Sequence, residues 1–174
     1  ITKNDAYTLD AWIQGELAKL NASVRESYRT YQFRRANKAV FDFCNDTLSA
    51  VYLASIKDCL YCEATDSDRR RRTQTMLYDL TVNLIQLTAP VLVHTAEEAA
   101  LSLWGESIKD SKNSIHFEVF PDPVKSTASP LWEKVMELRS RVLKALEVAK
   151  DGEGINYPLD AGIEMTLDPT AFAE

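Results

Sequence analysis

The sequence predicts an all-α protein, an antiparallel helical bundle with one short strand near the carboxyl end. Apolar residues recur at spacings of three and four over long stretches, the period of helices with one buried face. No proline stands between Ile1 and Pro90 to interrupt the backbone hydrogen bonds. The 174 residues are 45% hydrophobic and contain only five glycines and six prolines, which suits one globular core and excludes disordered and collagen-like chains.

Two long apolar stripes predict the first two helices. The first stripe runs from Leu9 to Tyr31 and the second from Phe33 to Leu60. The second is about eight turns long at 3.6 residues per turn. A helix of that length needs neighbours along its apolar face, so both stripes favour a bundle.

A third long helix and a shorter one follow. Residues 66–68 predict a turn and an N-cap, after which leucines at helical spacing continue to a helix end near Pro90. Thr95 and Glu98 match a capping box, in which a hydroxyl and a carboxylate satisfy exposed amides reciprocally. We therefore expect a short helix from there to about Trp104.

The remaining part of the chain predicts a fourth main helix and one strand. Ser129 and Pro130 form a good N-cap and first-turn pair for a helix that closes the bundle and ends near Gly152. Residues 159–168 alternate apolar and polar side chains, the period of a half-buried strand. The brief alternation over 115–119 is the one available partner segment, so we expect the natural partners of the strand to lie elsewhere.

The charge is distributed unevenly. The formal net charge is −6, but residues 1–90 hold 12 basic and 11 acidic side chains, whereas 91–174 hold 8 and 15. Because phosphate responds to local charge, net acidity does not exclude a nucleic-acid partner for the first half. We expect a helical bundle over residues 1–152 and a truncated junction region containing the strand over 153–174.

The sequence contains no recognisable catalytic or metal-binding arrangement. Its glycines form no phosphate-binding loop, and His94 and His116 have no nucleophile signature beside them. Cys59 and Cys62 form a lone CxxC, half of a zinc site at most, and Cys44 lies too far along the helix to join it. Three unpaired cysteines, with no targeting or membrane segment, favour a reducing cytoplasmic compartment and no membrane partner.

Four consecutive arginines stand where the third helix begins: Arg69, Arg70, Arg71 and Arg72. Cations are disfavoured at a helix start by about 0.3–1 kcal/mol each unless something compensates. Four successive residues fan around a helix, so a subset binds phosphate at most, although Arg69 and Arg72 share a face. The alternative is a self-neutralised surface, with Glu63, Asp66 and Asp68 as partners.

A second basic cluster lies at the turn between the first two helices. Arg34, Arg35 and Lys38 follow Tyr31 and Phe33. Rings and cations together suit unstacked RNA bases and their phosphates. The alternative is that both rings belong to the core and the cations solvate a helix face. At 1.5 Å per residue the two clusters lie about 45 Å apart, so a long ligand such as a folded RNA stem is required to meet both.

The runs FDFCNDTLSAVYLASIKDCLYCEATDSDRRRRTQTMLYDL and LTAPVLVHTAEEAALSLWG resemble the anticodon-binding helical domain of class I isoleucyl-tRNA synthetases. The tail LRSRVLKALEVAKDGEGINYPLDAGIEM is similar to the last helix of that family and the strand beyond it. The resemblance covers nearly the whole chain. It is specific for the isoleucine branch and weaker for excluding the related valine and leucine enzymes.

The resemblance implies that a full-length parent enzyme uses ATP with magnesium, and in some members zinc, to attach isoleucine to its tRNA. This domain would hold the anticodon arm, with the catalytic and editing domains of the same enzyme as its other partners. No HIGH or KMSKS signature occurs, so the resemblance transfers no catalytic residue to this chain. A noncatalytic helical module that binds other proteins is the rival interpretation.

Overall fold

The computed structural model describes residues 6–107, 111–120, 128–153 and 160–166. Its contacts divide the chain into two compact units, Ile1–Ser129 and Pro130–Glu174. All regular structure in the described ranges is helical, which confirms the predicted all-α class. None of the described helices is both long and apolar enough to cross a bilayer.

The first helix, α1, spans Leu9–Arg29 and begins where the sequence predicts it. The Thr8 hydroxyl accepts a hydrogen bond from the Ala11 amide at 3.2 Å, which satisfies one of the amides that a first helical turn leaves unpaired. Ile13 and Val24, on the predicted apolar stripe, are fully buried. The stripe therefore forms part of the core of the first unit.

The second predicted helix follows a helical path but consists of three parts. α2 spans Phe33–Asp42, a π-helical segment spans Phe43–Leu53, and α3 spans Lys57–Cys62. The prediction of one continuous α-helix is therefore wrong. The π-helical hydrogen-bond pattern changes which side chains face the core. Within the π segment Tyr52 is fully buried, and its hydroxyl donates to Asp10 at 2.6 Å. That bond joins the π segment to the first turn of α1.

The third main helix, α4, spans Asp68–Thr88 and is capped by Ser67, as predicted. It packs against α1 and α3. Between α1 and α4, the Asn21 amide donates to Asn83 Oδ1 at 3.2 Å, while Asn21 Oδ1 is buried without a partner. α4 ends before Pro90, where the apolar pattern predicts its end.

The short helix, α5, spans Val93–Trp104. Its predicted end is confirmed, but the predicted capping box of Thr95 and Glu98 is wrong. The helical ladder begins at the Leu92 carbonyl, which accepts from the Ala96 amide at 2.8 Å and places Thr95 inside the first turn. Gly105, at φ 72°, terminates the helix in the left-handed conformation that glycine adopts without steric cost.

The brief alternation near residue 117 does not form a strand. Ile115–Phe117 is a single 3₁₀ turn, whose cap is the Ser114 hydroxyl. Glu97 of α5 accepts hydrogen bonds from the Ser114 hydroxyl at 2.9 Å and the Ile115 amide at 3.1 Å. These local acceptors satisfy the polar groups that a strand would have paired with a neighbour, so the expected strand partner is absent here.

The second unit contains the last main helix, α6, at Leu131–Glu153, in agreement with the predicted start and end. Residues 161–166 have no regular structure, and the other residues of the expected 159–168 strand lie largely outside the described ranges. Apolar residues of α6 and of this segment line a shared groove of about 530 Å³, including Leu138 and Ile163. The predicted boundary after residue 152 stays a prediction.

Candidate nucleic-acid interface

The turn from α1 to α2 is built by a Schellman motif with tyrosine at its left-handed position. The Tyr31 amide donates to the Tyr28 carbonyl at 3.1 Å, and the Gln32 amide donates to the Ser27 carbonyl at 2.7 Å. Tyr31 has φ 58°, the one positive φ of a non-glycine residue in the described chain. A residue with a Cβ costs about 1–2 kcal/mol there, so the backbone alone favours glycine.

The aromatic side chains of this turn are exposed rather than part of the core. Tyr31 is 81% exposed and Phe33 is 50% exposed. Their ring centroids lie 6.2 Å apart at an interplanar angle of 76°. Phe33 also lies 6.0 Å from the ring of Tyr28, which stacks on Phe120 at 5.7 Å. The structure thus decides against the core interpretation of both residues and shows an exposed aromatic cluster.

The cations beside these rings are only partly paired. Arg34 is exposed and has no ion pair with any described residue. Arg35 donates to Gln32 Oε1 at 3.5 Å, a weak contact. Lys38 pairs with Asp42 at 2.7 Å on the solvent side of α2. Exposed pairs contribute little free energy, so all three cations remain able to exchange their partners for phosphate.

The arginine run at the start of α4 is divided between internal and exposed roles. Arg69 pairs with Glu63 Oε1 at 2.9 Å. Arg70 donates to the Glu63 carbonyl at 2.8 Å, and its Nε is buried without a partner. A hydrogen bond from Ser67, together with Arg69, holds the pKa of Glu63 below its ordinary value. The self-neutralised alternative therefore describes the exposed Arg69–Glu63 pair, whereas Arg70 caps the end of α3 through a backbone carbonyl.

Three of the four arginines border a cleft between the starts of α1 and α4. Arg69, Arg71 and Arg72 line a cavity of about 780 Å³. Carboxylates of Asp10 and Asp79 line it too, so its charge is mixed. The two basic clusters are at different ends of the α2–α3 path, as the sequence predicts, because one follows α1 and the other follows α3.

Comparison with known proteins decides the family. Residues 10–165 match the family described as the anticodon-binding domain of tRNA ligase. The chain belongs to this family. Its fold, an all-helical unit with basic and aromatic side chains at a helix turn, is in accord with the resemblance that the sequence predicts.

Three relatives of this anticodon-binding domain are all isoleucine–tRNA ligases. The protein of Desulfotalea psychrophila is 38% identical over 94% of the chain and 18% of the relative. Those of Carboxydothermus hydrogenoformans and Bacillus cytotoxicus are each 37% identical, over 90% and 98% of the chain and 17% and 18% of the relatives. The chain thus spans less than a fifth of these relatives, and the isoleucine branch is favoured over the valine and leucine alternatives.

Both histidines of the domain are exposed, and of its three cysteines only Cys59 is buried. His116 Nε2 lies 3.2 Å from the Val93 carbonyl, and His94 is exposed near the start of α5. The thiol of buried Cys59 contacts Thr73 Oγ1 at 3.7 Å. Burial raises the pKa of the Cys44 thiol. The described residues contain no group of three or more side chains placed to hold a metal ion.

The corner between α4 and α5 adds exposed apolar residues that the sequence analysis missed. Val91, Leu92 and Val93 are 39%, 51% and 44% exposed. They lie at the same end of the domain as Tyr31, since the Tyr28 hydroxyl, in the last turn of α1, donates to the Leu87 carbonyl at 2.9 Å. Three apolar residues directly after Pro90, outside any helical stripe, were the available signal.

Proposed function

We propose that this domain positions the anticodon arm of an isoleucine-accepting tRNA. The observation that carries the proposal is the α1–α2 turn, where Arg34 and Arg35 lie exposed beside the rings of Tyr31 and Phe33 in a member of the anticodon-binding family. Cations bind the phosphates, and exposed rings stack on bases that a loop leaves unpaired.

Within this proposal the candidate contacts have different roles. Arg34, Arg35 and Lys38 bind phosphates at the α1–α2 turn. Arg72 binds phosphate further along the RNA, as does Arg69 once it exchanges its exposed pair with Glu63 for phosphate, while Arg70 holds α3 and α4 together. Phosphate contacts orient the RNA without reading its sequence. Identity then has to come from base contacts.

The proposal extends to a full-length parent. The relatives are isoleucine–tRNA ligases, which supports a parent that joins isoleucine to its tRNA. From the family resemblance we expect this parent to use ATP with magnesium, and zinc where a zinc module is present, and to act in the cytoplasm. The catalytic and editing domains would be the protein partners of this chain. The expected strand at 159–168 would pair within that larger protein, because a single strand is not stable alone.

Charge reversal in the full-length ligase tests the proposal. The double variant Arg34→Glu/Arg35→Glu should weaken tRNA binding and reduce the slope of log Kd against log salt concentration by about 1–2, since about two phosphate contacts are lost. Binding is measured by filter retention or fluorescence anisotropy across a salt series. Circular dichroism of each variant checks the fold.

The matched control is Lys19→Glu, which reverses an exposed charge in the middle of α1 where Lys19 pairs with Glu16. We expect this control to change the tRNA affinity by less than about twofold. If the double variant binds tRNA with an unchanged affinity and salt slope, the assignment of Arg34 and Arg35 is wrong. An equal loss in the control would show a general charge effect and would also count against it.

A further inference from the structure

An open pocket in the first unit contains none of the residues that we assign to RNA. It is a cavity of about 520 Å³ among α4, the end of α5 and the 3₁₀ turn. Three aromatic side chains line it, one from each of these elements: Tyr78, Trp104 and Phe117. Two acidic side chains, Glu106 and Glu118, line it too. We call this cavity, defined by these five residues, the aromatic–acidic pocket.

Backbone hydrogen bonds at the end of α5 hold the walls of this pocket in place. Gly105 terminates the helix, and the Glu106 amide donates to the Leu101 carbonyl at 2.8 Å, which turns the chain back beside α5. Glu97 of α5 accepts from the Ile115 amide at 3.1 Å, which fixes the 3₁₀ turn against the same helix. α4 packs on the other side of α5. The pocket is therefore formed by the fold without a ligand.

The aromatic side chains of the pocket are more exposed than a core requires. Phe117 is 81% exposed and Tyr78 is 50% exposed, whereas Trp104 packs partly against the core. Phe117 therefore gains little from the hydrophobic effect in this fold. Among the described residues, none of these three rings stacks on another ring. Their surfaces in the pocket are thus free to contact a ligand.

The carboxylates of the pocket carry negative charge that the described residues do not neutralise. Hydrogen bonds from the Ser111 hydroxyl at 2.6 Å and the Asn113 amide at 2.7 Å hold the pKa of Glu106 below its ordinary value. Both donors are neutral. Neither Glu106 nor Glu118 forms an ion pair with a described residue. At neutral pH the pocket therefore has two negative charges.

Rings and ionised carboxylates around one cavity suit an organic cation. Positive charge is attracted to the face of an aromatic ring and to a carboxylate, whereas phosphate would be repelled. A guanidinium fits such a site better than an ammonium, because it is flat, stacks on rings and donates two parallel hydrogen bonds to one carboxylate. The Glu106 carboxylate has acceptor sites beyond the two that Ser111 and Asn113 use.

We propose that the aromatic–acidic pocket binds the guanidinium group of an arginine from another segment of the full-length parent polypeptide. Partly exposed contacts of this kind are weak, so free arginine would bind with a dissociation constant in about the millimolar range. That is also about the effective concentration of one segment of a polypeptide for another, so a tethered arginine would occupy the pocket. The inference goes beyond RNA binding and takes from the proposed function only a longer parent, since the chain spans less than a fifth of its relatives.

Titration of this chain tests the chemistry of the pocket. The probe is N-acetylarginine amide at constant ionic strength, and the signal is the indole N–H resonance of Trp104, assigned with the variant Trp104→Phe. We expect a saturable shift with a Kd of about 1–10 mM. The citrulline analogue has nearly the same shape without the charge and should give no saturable shift. The lysine analogue should bind at least about twofold more weakly than the arginine probe.

Variants at two exposed positions of the pocket identify the contacts. Phe117→Ala removes one ring and Glu118→Gln removes one charge, and each should weaken binding of the arginine probe by about 2- to 5-fold. The matched controls are Tyr61→Ala, which removes a ring that is 82% exposed on α3, and Glu98→Gln, which removes an exposed carboxylate of α5. The affinity of each control should stay within about 1.5-fold of the wild type. Circular dichroism checks the fold of all four.

Photo-crosslinking in the full-length ligase identifies the source of the arginine. p-Benzoylphenylalanine is placed at Val119, which is 82% exposed and lies two residues beyond Phe117. Irradiation should join it to an arginine-containing segment of the same polypeptide, mapped by mass spectrometry. Phe117→Ala/Glu118→Gln should lower the yield of this product, and so should replacement of the captured arginine by glutamine.

Each outcome supports or overturns the inference separately from the proposed function. The pocket does not bind a guanidinium if the citrulline analogue binds as well as the arginine probe, or if Phe117→Ala and Glu118→Gln behave like the controls. The proposed occupant is wrong if the crosslinks in the parent reach only segments without arginine, or if free arginine binds and no segment is captured. The tRNA measurements on Arg34→Glu/Arg35→Glu do not involve this pocket, so either proposal can fail while the other stands.

Discussion

Replacement of Tyr52 by phenylalanine removes one hydroxyl from the junction between the π segment and α1. Tyr52 is fully buried, and its hydroxyl donates to Asp10 Oδ1 at 2.6 Å. Phenylalanine keeps the ring and its packing, so the change isolates this bond. Asp10, in the first turn of α1, then keeps its favourable position near the helix start but loses its donor.

The expected cost follows from the geometry. A hydrogen bond to a charged group contributes about 1.5–3 kcal/mol, roughly twice a neutral one. Asp10 is half-buried, so water can replace part of the lost interaction. We therefore expect Tyr52→Phe to lower the free energy of unfolding by about 1.5–2 kcal/mol.

The pH dependence gives a second signature of the same bond. Burial, together with the hydrogen bond to Asp10, raises the pKa of the Tyr52 phenol well above its ordinary value. Unfolded tyrosine ionises near pH 10, so the contribution of Tyr52 is complete below about pH 10 and falls as the pH rises further. The stability difference between the wild type and Tyr52→Phe should be constant from neutral pH to about pH 9 and narrow above pH 10.

Urea unfolding followed by circular dichroism measures both effects. The matched control is Tyr78→Phe, since Tyr78 is 50% exposed, and it should change the free energy of unfolding by less than about 0.5 kcal/mol. The reasoning is refuted if Tyr52→Phe costs no more than this control, or if the difference persists unchanged at high pH.

Three further stability predictions concern the core and the helix ends. Ile13→Ala should lower the free energy of unfolding by about 2–5 kcal/mol, because Ile13 is fully buried; a loss below 1 kcal/mol in urea unfolding would contradict this. Ser67→Ala removes the cap of α4 and should cost about 1 kcal/mol by the same assay, with no loss arguing against the cap. Gly105→Ala should cost about 1 kcal/mol through the backbone alone, because φ is 72° and no atom lies within 4 Å of an added Cβ; an unchanged melting temperature would disprove that account.

The candidate site was predictable in composition but not in arrangement. The proximity of Arg34 and Arg35 to Tyr31 and Phe33 is visible in the chain itself. The exposure of the two rings could not be predicted, because helical spacing alone assigns both residues to an apolar stripe. Leu92 was missed because only the hydrogen bond between α1 and α4 brings its corner beside the α1–α2 turn.

The different roles of the four arginines at the start of α4 could not be predicted from the sequence either. Adjacent cations are equivalent in a sequence, and their spacing places Arg69 and Arg72 on one helix face. Where each guanidinium lies depends on what α3 presents to α4. The Glu63 carbonyl at the end of α3 accepts from Arg70, which turns that side chain inward, while its neighbours border the cleft.

Local patterns by themselves determined the helical class, the starts of α1 and α4, and the end of α5, because spacing and capping act within a few residues. They also determined the family, since motifs over nearly the whole chain carried it. Tertiary structure decided the division of the second helix, the 3₁₀ turn in place of a strand, and the surface shared by Tyr31 and Leu92. Each of these depends on hydrogen bonds or packing between residues distant in sequence. A local sequence pattern does not reveal such contacts.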